Sequence, residues 1–178
     1  LACFWTNKKY IFDIFDYLST DAKTIKEKII EKLENNIINR AETTIICSEQ
    51  RKTQIKKSRP KSLVVIHNTP SNIPVLKENL SKKEKVKIAY IGILQDFRLL
   101  KEMVEIVSEM KNVELHIGGF GKYEDYMRNA ARQHSNIKFY GKLQYEETLR
   151  LENSCDLMTA IYDPSIGNHK YAAPNKFY

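Results

Sequence analysis

Apolar runs that end in glycine set the tightest limit on what this chain can fold into. Residues 86–92 read VKIAYIG, residues 113–117 lead into GGFG, and residues 137–140 stop at Gly141. Near-continuous apolar runs of this length are those of strands buried on both faces of a parallel sheet. Between them, apolar residues recur at helical spacing: Leu100, Met103, Val104, Val107 and Met110, then Tyr123, Tyr126, Met127 and Ala130, then residues 145–153. Strands alternating with helices in this way give a parallel sheet with right-handed crossovers. Asp96 is placed to cap the first of these helices. A last short strand, expected to be buried, lies at 156–161, DLMTAI.

The first half carries the same alternation. Residues 10–15, YIFDIF, read as a strand whose end bears Asp13 and Asp16. Thr24 to Glu27 fits a capping box, and Ile25, Ile29, Ile30, Leu33, Ile37 and Ile38 mark the apolar stripe of the helix that follows, with charge on its other face. Residues 43–47 form a short strand, Ser48 caps a helix through about Lys57, and residues 62–66 form the next strand. HNTPSNIP at 67–74 continues neither helix nor strand, and a charged linker follows at 77–87. We therefore expect two α/β domains, residues 1–75 and 76–178, each with its own parallel sheet.

With 42% hydrophobic residues in 178, the chain can bury a core. Its longest aliphatic run, 63–66, is far short of the roughly 20 residues that span a bilayer, and the apolar start is too short for a signal peptide, so a cytoplasmic location is expected. Cys3, Cys47 and Cys155 form no metal-ligand spacing with one another or with the four histidines, so no metal site is expected. We read them as reduced thiols, Cys47 and Cys155 buried. The net charge of +7 suits an anionic partner, yet most lysines alternate with glutamates on helix faces and are simply solvated. Aromatics sit at core-spaced positions, which argues against a nucleic-acid face. Leu1 is the first residue and Tyr178 falls within a motif, so the chain reads as part of a longer one.

Gly118, Gly119 and Gly121 follow a strand and precede a helix, where a backbone turns sharply or approaches a phosphate, but GxGxxG would require glycine at Glu124. Gly92 and Gly141 also end strands. Strand ends on one side of a parallel sheet form its ligand-facing edge. Arg98, in the first turn of its helix, opposes the helix dipole unless an anion offsets it. His67 is a base, a ligand or a structural hydrogen-bonder at a strand end. Asp13 and Asp16 either pair as acid and base or cap a turn in solvent. In the tail, Asn175 and Lys176 present an amide and a cation where a helix begins, a geometry suited to phosphate.

In order, RAETTIICSEQ at 40–50, LVVIHNTPSN at 63–72, KIAYIG at 87–92, ELHIGGFG at 114–121, NIKFYGKL at 136–143, SCDLMTAIYDP at 154–164 and APNKFY at 173–178 resemble the retaining, metal-independent glycosyltransferases of GT-B fold that build capsules and lipopolysaccharides. The resemblance implies two Rossmann-like domains, both incomplete here, and a hexosyltransferase that moves a sugar from a UDP- or GDP-sugar to a glycan or lipid-linked acceptor, with no cofactor. It implies that Gly92 lies by the donor diphosphate, that Gly119 is donor-binding, that Gly141, Lys142 and Leu143 meet the base, and that Pro164, Asn175 and Lys176 line the sugar and phosphate. Arg98 is then the cation offered after the first strand, where the family commonly has a basic pair. His67 and Asn68 would face the interdomain cleft. A lipid-linked acceptor would bring the protein to the inner face of the plasma membrane. The chain alone would be inactive, since the family's paired glutamates are absent: the earlier is replaced near Tyr171 and the later falls just past Tyr178. The rival is a non-catalytic α/β nucleotide-binding or regulatory module.

Overall fold

The computed structural model describes residue 6 and residues 8–69 and 85–172. The chain divides into two compact units, one of Leu1–Pro70 with Asp163–Tyr178 and one of Ser71–Tyr162. Residues 163–172 therefore group with the first unit and not with the second domain expected over 76–178. Local contacts explain why: Asn168 Oδ1 accepts from Gln54 Nε2 at 2.9 Å and from Thr20 Oγ1 at 3.2 Å, and Lys170 reaches Asp21 at 3.4 Å.

The first unit holds a three-stranded parallel sheet in the order β1 (Ile11–Ile14), β2 (Thr43–Ile46), β3 (Leu63–Val65). Helix α1 (Ile25–Arg40) crosses between β1 and β2. It begins at the expected capping box, with Glu27 N–H donating to Thr24 Oγ1 and Thr24 N–H donating to the Glu27 carboxylate. Its buried face keeps Ile38 and, half-buried, Ile30 of the expected stripe but not the rest. Ile25, Ile29, Leu33 and Ile37 are exposed, while Glu34 and Ile38 are buried. The helix expected from Ser48 to Lys57 is a single turn, α2 (Arg51–Gln54), because only Ile55 beyond it joins the core and Lys56 and Lys57 are exposed. The core is small: Ile14, Tyr17, Ile38, Ile46 and Ile55, flanked by Phe12, Leu63 and Val65.

The second unit has a four-stranded parallel sheet in the order β6-β5-β4-β7, with β4 Val86–Ile93, β5 Val113–Phe120, β6 Ile137–Gly141 and β7 Leu157–Met158. Helices α3 (Leu100–Ser108), α4 (Glu124–Gln133) and α5 (Tyr145–Ser154) connect them. Leu115 and Ile117 of β5, Tyr90 of β4 and Ile137 of β6 meet Leu100, Val104 and Val107 of α3 and Met127 and Ala130 of α4 in one core. The buried strand expected over 156–161 is a short exposed edge. Leu157 and Met158 pair with β4 on one side, and neither is packed over. Cys47 and Cys155 are half-buried, not buried.

The opposite face of the second sheet is polar, because alternate residues of a strand point to opposite sides. His116 is buried there: its Nδ1 lies 2.8 Å from the Tyr140 hydroxyl and its Nε2 3.6 Å from Glu114. Burial pushes the imidazole below its ordinary value, against the pull of Glu114, while Lys87 and Lys138 add to the downward shift. The unfolded chain therefore takes up the proton first as pH falls below about 6.5. Stability present above that pH is lost as pH drops through the folded value. Melting temperatures recorded from pH 7.5 to 5 should fall, and His116→Asn should flatten the decline in the second unit. An equal slope in the variant would assign the acid sensitivity to other groups.

Candidate functional site

The register of the second sheet brings the strand-end glycines into one row. Gly92 of β4 stands beside Gly119 of β5, and Gly118 beside Gly141 of β6. The strand expected to stop at Ile117 continues through Gly118 and Gly119 to Phe120. Its pairing with β4 runs on to Ile93 beside Phe120, and glycine is required on the way: a Cβ on Gly119, whose φ is +140°, would sit 1.9 Å from the Gly92 carbonyl oxygen. Gly119 is thus first a packing residue of the sheet. Gly141 differs, with φ at +69° and open space where a side chain would go. It turns the chain out of β6 into Lys142 and Leu143. Leu143 then fills the space that a side chain on Gly118 would need, and the Lys142 ammonium lies 5.2 Å over the Phe120 ring.

After β4 comes a loop under visible conformational constraint. Phe97 and Leu99 both adopt left-handed φ values, 65° and 51°, on either side of Arg98. Non-glycine residues pay about 1–2 kcal/mol for that region, and such outliers persist where surrounding structure holds them. Arg98 precedes the helix instead of lying in its first turn, since Leu99 is the N-cap of α3. Its guanidinium stacks 4.1 Å from the Tyr162 ring centroid and reaches the Ile161 carbonyl at 3.4 Å. Asp96 does not cap α3. It ties the loop to the start of α4, receiving Lys122 Nζ at 2.7 Å and the Tyr123 hydroxyl. Those two hydrogen bonds, Lys122 first, hold the Asp96 carboxyl below the usual carboxylate range.

The remaining expected site residues lie elsewhere. His67 and Asn68 follow β3 in the first unit, both exposed, lining a cleft with Asp13, Phe15, Cys47 and Arg51. Asp13 and Asp16 are exposed. Pro164 falls in the segment that packs with the first unit. Asn175 and Lys176 lie outside the described residues. Thus Gly92, Gly119, Gly141, Lys142 and Leu143 share one sheet edge, with Arg98 on the loop that leaves it. Sequence reasoning passed over Asp96, Lys122 and Tyr123 as a clasp and Tyr162 as the platform under Arg98. The only sequence sign of the clasp was polar side chains crowding the loops just beyond two buried strands.

No family model and no curated protein matches the chain. Solved structures do. HepE of Anabaena, in complex with UDP and glucose, superposes with a TM-score of 0.61 at 18% identity over 88% of this chain and 47% of its own. TarM of S. aureus, as a mutant in complex with fondaparinux, alpha-GlcNAc-glycerol and UDP, gives 0.57 at 14% identity over 85% of this chain and 32% of its own. The lipopolysaccharide outer core galactosyltransferase WaaB gives 0.56 at 18% identity over 83% and 41%. The chain spans half or less of the length of each. Among the described residues, no helix is long and apolar enough to cross a membrane. Two parallel α/β units in this order, matched by solved glycosyltransferases over most of the chain, make the fold GT-B.

Proposed function

We propose that the chain serves in a retaining hexosyltransferase that moves a sugar from a UDP- or GDP-sugar to a glycan or lipid-linked acceptor during cell-surface polysaccharide synthesis. The observation that carries this is the glycine row at the carboxyl edge of the second sheet, where Arg98 sits in a loop held between two left-handed residues. An edge of that kind receives nucleotides in open parallel sheets, and an arginine there suits a diphosphate. The HepE complex with UDP and glucose supports the same assignment. WaaB, by its name an outer core galactosyltransferase, supports the polysaccharide setting.

On this reading Gly92 and Arg98 lie by the diphosphate, Gly141 to Leu143 meet the base, and Pro164, Asn175 and Lys176 belong to the sugar and phosphate side. The protein then acts by electrostatics. Cations and backbone amides stabilise charge developing on the leaving diphosphate, which itself helps take the acceptor's proton. A lipid-linked acceptor would place the enzyme at the inner face of the plasma membrane, and the chain by itself would bind nucleotide while transferring little.

Calorimetric titration with UDP, GDP and their sugars should show binding, and Arg98→Gln should weaken it about tenfold to a hundredfold, the worth of one charge-assisted hydrogen bond. Mixed DNA and RNA should bind no better than salt-screened background. An unchanged dissociation constant in the variant would remove Arg98 from the site, and absence of nucleotide binding altogether would favour a regulatory α/β module.

A further inference from the structure

A buried cation that forms no ion pair among the described residues stands at the edge of the other sheet. Arg51 is only 4% exposed. Its Nε donates to Cys47 Sγ at 2.9 Å and its Nη1 to Gln54 Oε1 at 3.1 Å, a sulfur and an amide oxygen. Among the described residues no carboxylate forms an ion pair with it. Burying a guanidinium without a counter-charge is costly, and buried charges are ordinarily paired. Arg51 also lines a cleft of about 210 Å³ at the carboxyl ends of β1, β2 and β3, where the counter-charge has room to come from outside.

We propose that this cleft is an anion-binding subsite in which Arg51 takes the carboxylate or phosphate of an acidic sugar, the acceptor of the transfer. The word acceptor rests on the glycosyltransferase reading; the anion site does not. The planar guanidinium fork matches either oxyanion. The cleft is smaller than the roughly 300 Å³ at which sites for drug-sized ligands begin, so it holds one sugar-sized group. Its other walls suit a hydroxylated ligand better than a bare inorganic ion. Exposed Asp13 accepts from hydroxyls and opposes a second negative charge, while Phe15, 71% exposed, offers an apolar face.

Cys47 gives a direct readout, because it lines the same cleft in contact with Arg51. Iodoacetamide labelling of the unaltered chain, followed residue by residue by mass spectrometry at matched ionic strength, should slow at Cys47 by about fivefold or more with saturating glucuronate, glucose 6-phosphate or both. Glucose should leave it unchanged, and Cys155 serves as the internal control. Protection by glucuronate alone identifies a carboxylate subsite, and by glucose 6-phosphate alone a phosphate subsite. Arg51→Gln should weaken the acidic sugar about tenfold to a hundredfold while UDP binding persists. If that variant fails to fold, labelling of the unaltered chain decides. No protection by either acidic sugar, or equal protection by glucose, overturns the subsite. Protection without any UDP binding would keep the subsite and sink the transferase reading.

Discussion

Gly119→Ala is expected to lower the melting temperature of the second unit by more than about 10 °C. The added Cβ would lie 1.9 Å from the Gly92 carbonyl oxygen, a backbone atom that no rotamer change can clear, at a φ of +140° that L side chains rarely adopt. Overpacking costs about 1–3 kcal/mol and a disfavoured backbone region about 1–3 more, so roughly 2–6 kcal/mol, centred near 4, is at stake. In a domain of this size each kcal/mol moves the midpoint by about 4–8 °C. Gly141→Ala is the control, since its φ is +69° but nothing lies within reach of the new atom. It should cost about 1–2 kcal/mol, the left-handed penalty alone. Thermal unfolding followed by circular dichroism distinguishes the two. Equal shifts would show that conformation, not the approach of β4 to β5, requires glycine at 119.

The contrast between these two glycines shows how far sequence reaches. Both were legible as strand-end punctuation, and the register confirms that they mark one edge of one sheet. That β5 continues through Gly119 was not legible, because the continuation is pairing with a neighbouring strand and not any local propensity. The same limit applies to Asp96. Its position before an apolar stripe is that of a helix cap, yet Lys122 and Tyr123, remote in sequence, compete for its carboxylate and take it. The Thr24 capping box, by contrast, is local in every part and was read correctly. The buried strand expected at 156–161 is instead a short exposed one, because an apolar run states what a segment can bury, not whether a neighbour comes to cover it. In the site itself, glycines announce themselves by type. The strained backbone at Phe97 and Leu99 and the solitary burial of Arg51 leave no mark on composition or spacing.

Glu34→Ala should be among the most damaging changes in the first unit, although such residues are ordinarily sought in a helix's apolar stripe. Of that stripe, Ile25, Ile29 and Leu33 are all more than half exposed, so Ile29→Ala should cost no more than about 0.5 kcal/mol. Glu34 is buried, and its carboxylate accepts from Leu18 N–H at 2.9 Å, from Ser19 N–H at 3.1 Å and from the Ser19 hydroxyl. These bonds fasten the segment after β1, which carries the buried side chains of Tyr17 and Ser19, onto α1. Hydrogen bonds to a charged group are each worth about 1.5–3 kcal/mol, and removing their acceptor strands the donors of the buried Ser19 away from water, whereas exposed Leu18 can turn to solvent. A loss of roughly 3–5 kcal/mol follows, of the order found when one side of a buried charged contact is deleted. Glu34→Gln keeps an amide oxygen for one or two of the donors and should cost about half as much. Urea unfolding gives the free energies, and hydrogen exchange at the Leu18 and Ser19 amides gives the location. If those amides keep their protection in Glu34→Ala, the segment is held by Tyr17 packing instead, and the carboxylate is not what fixes the entry into α1.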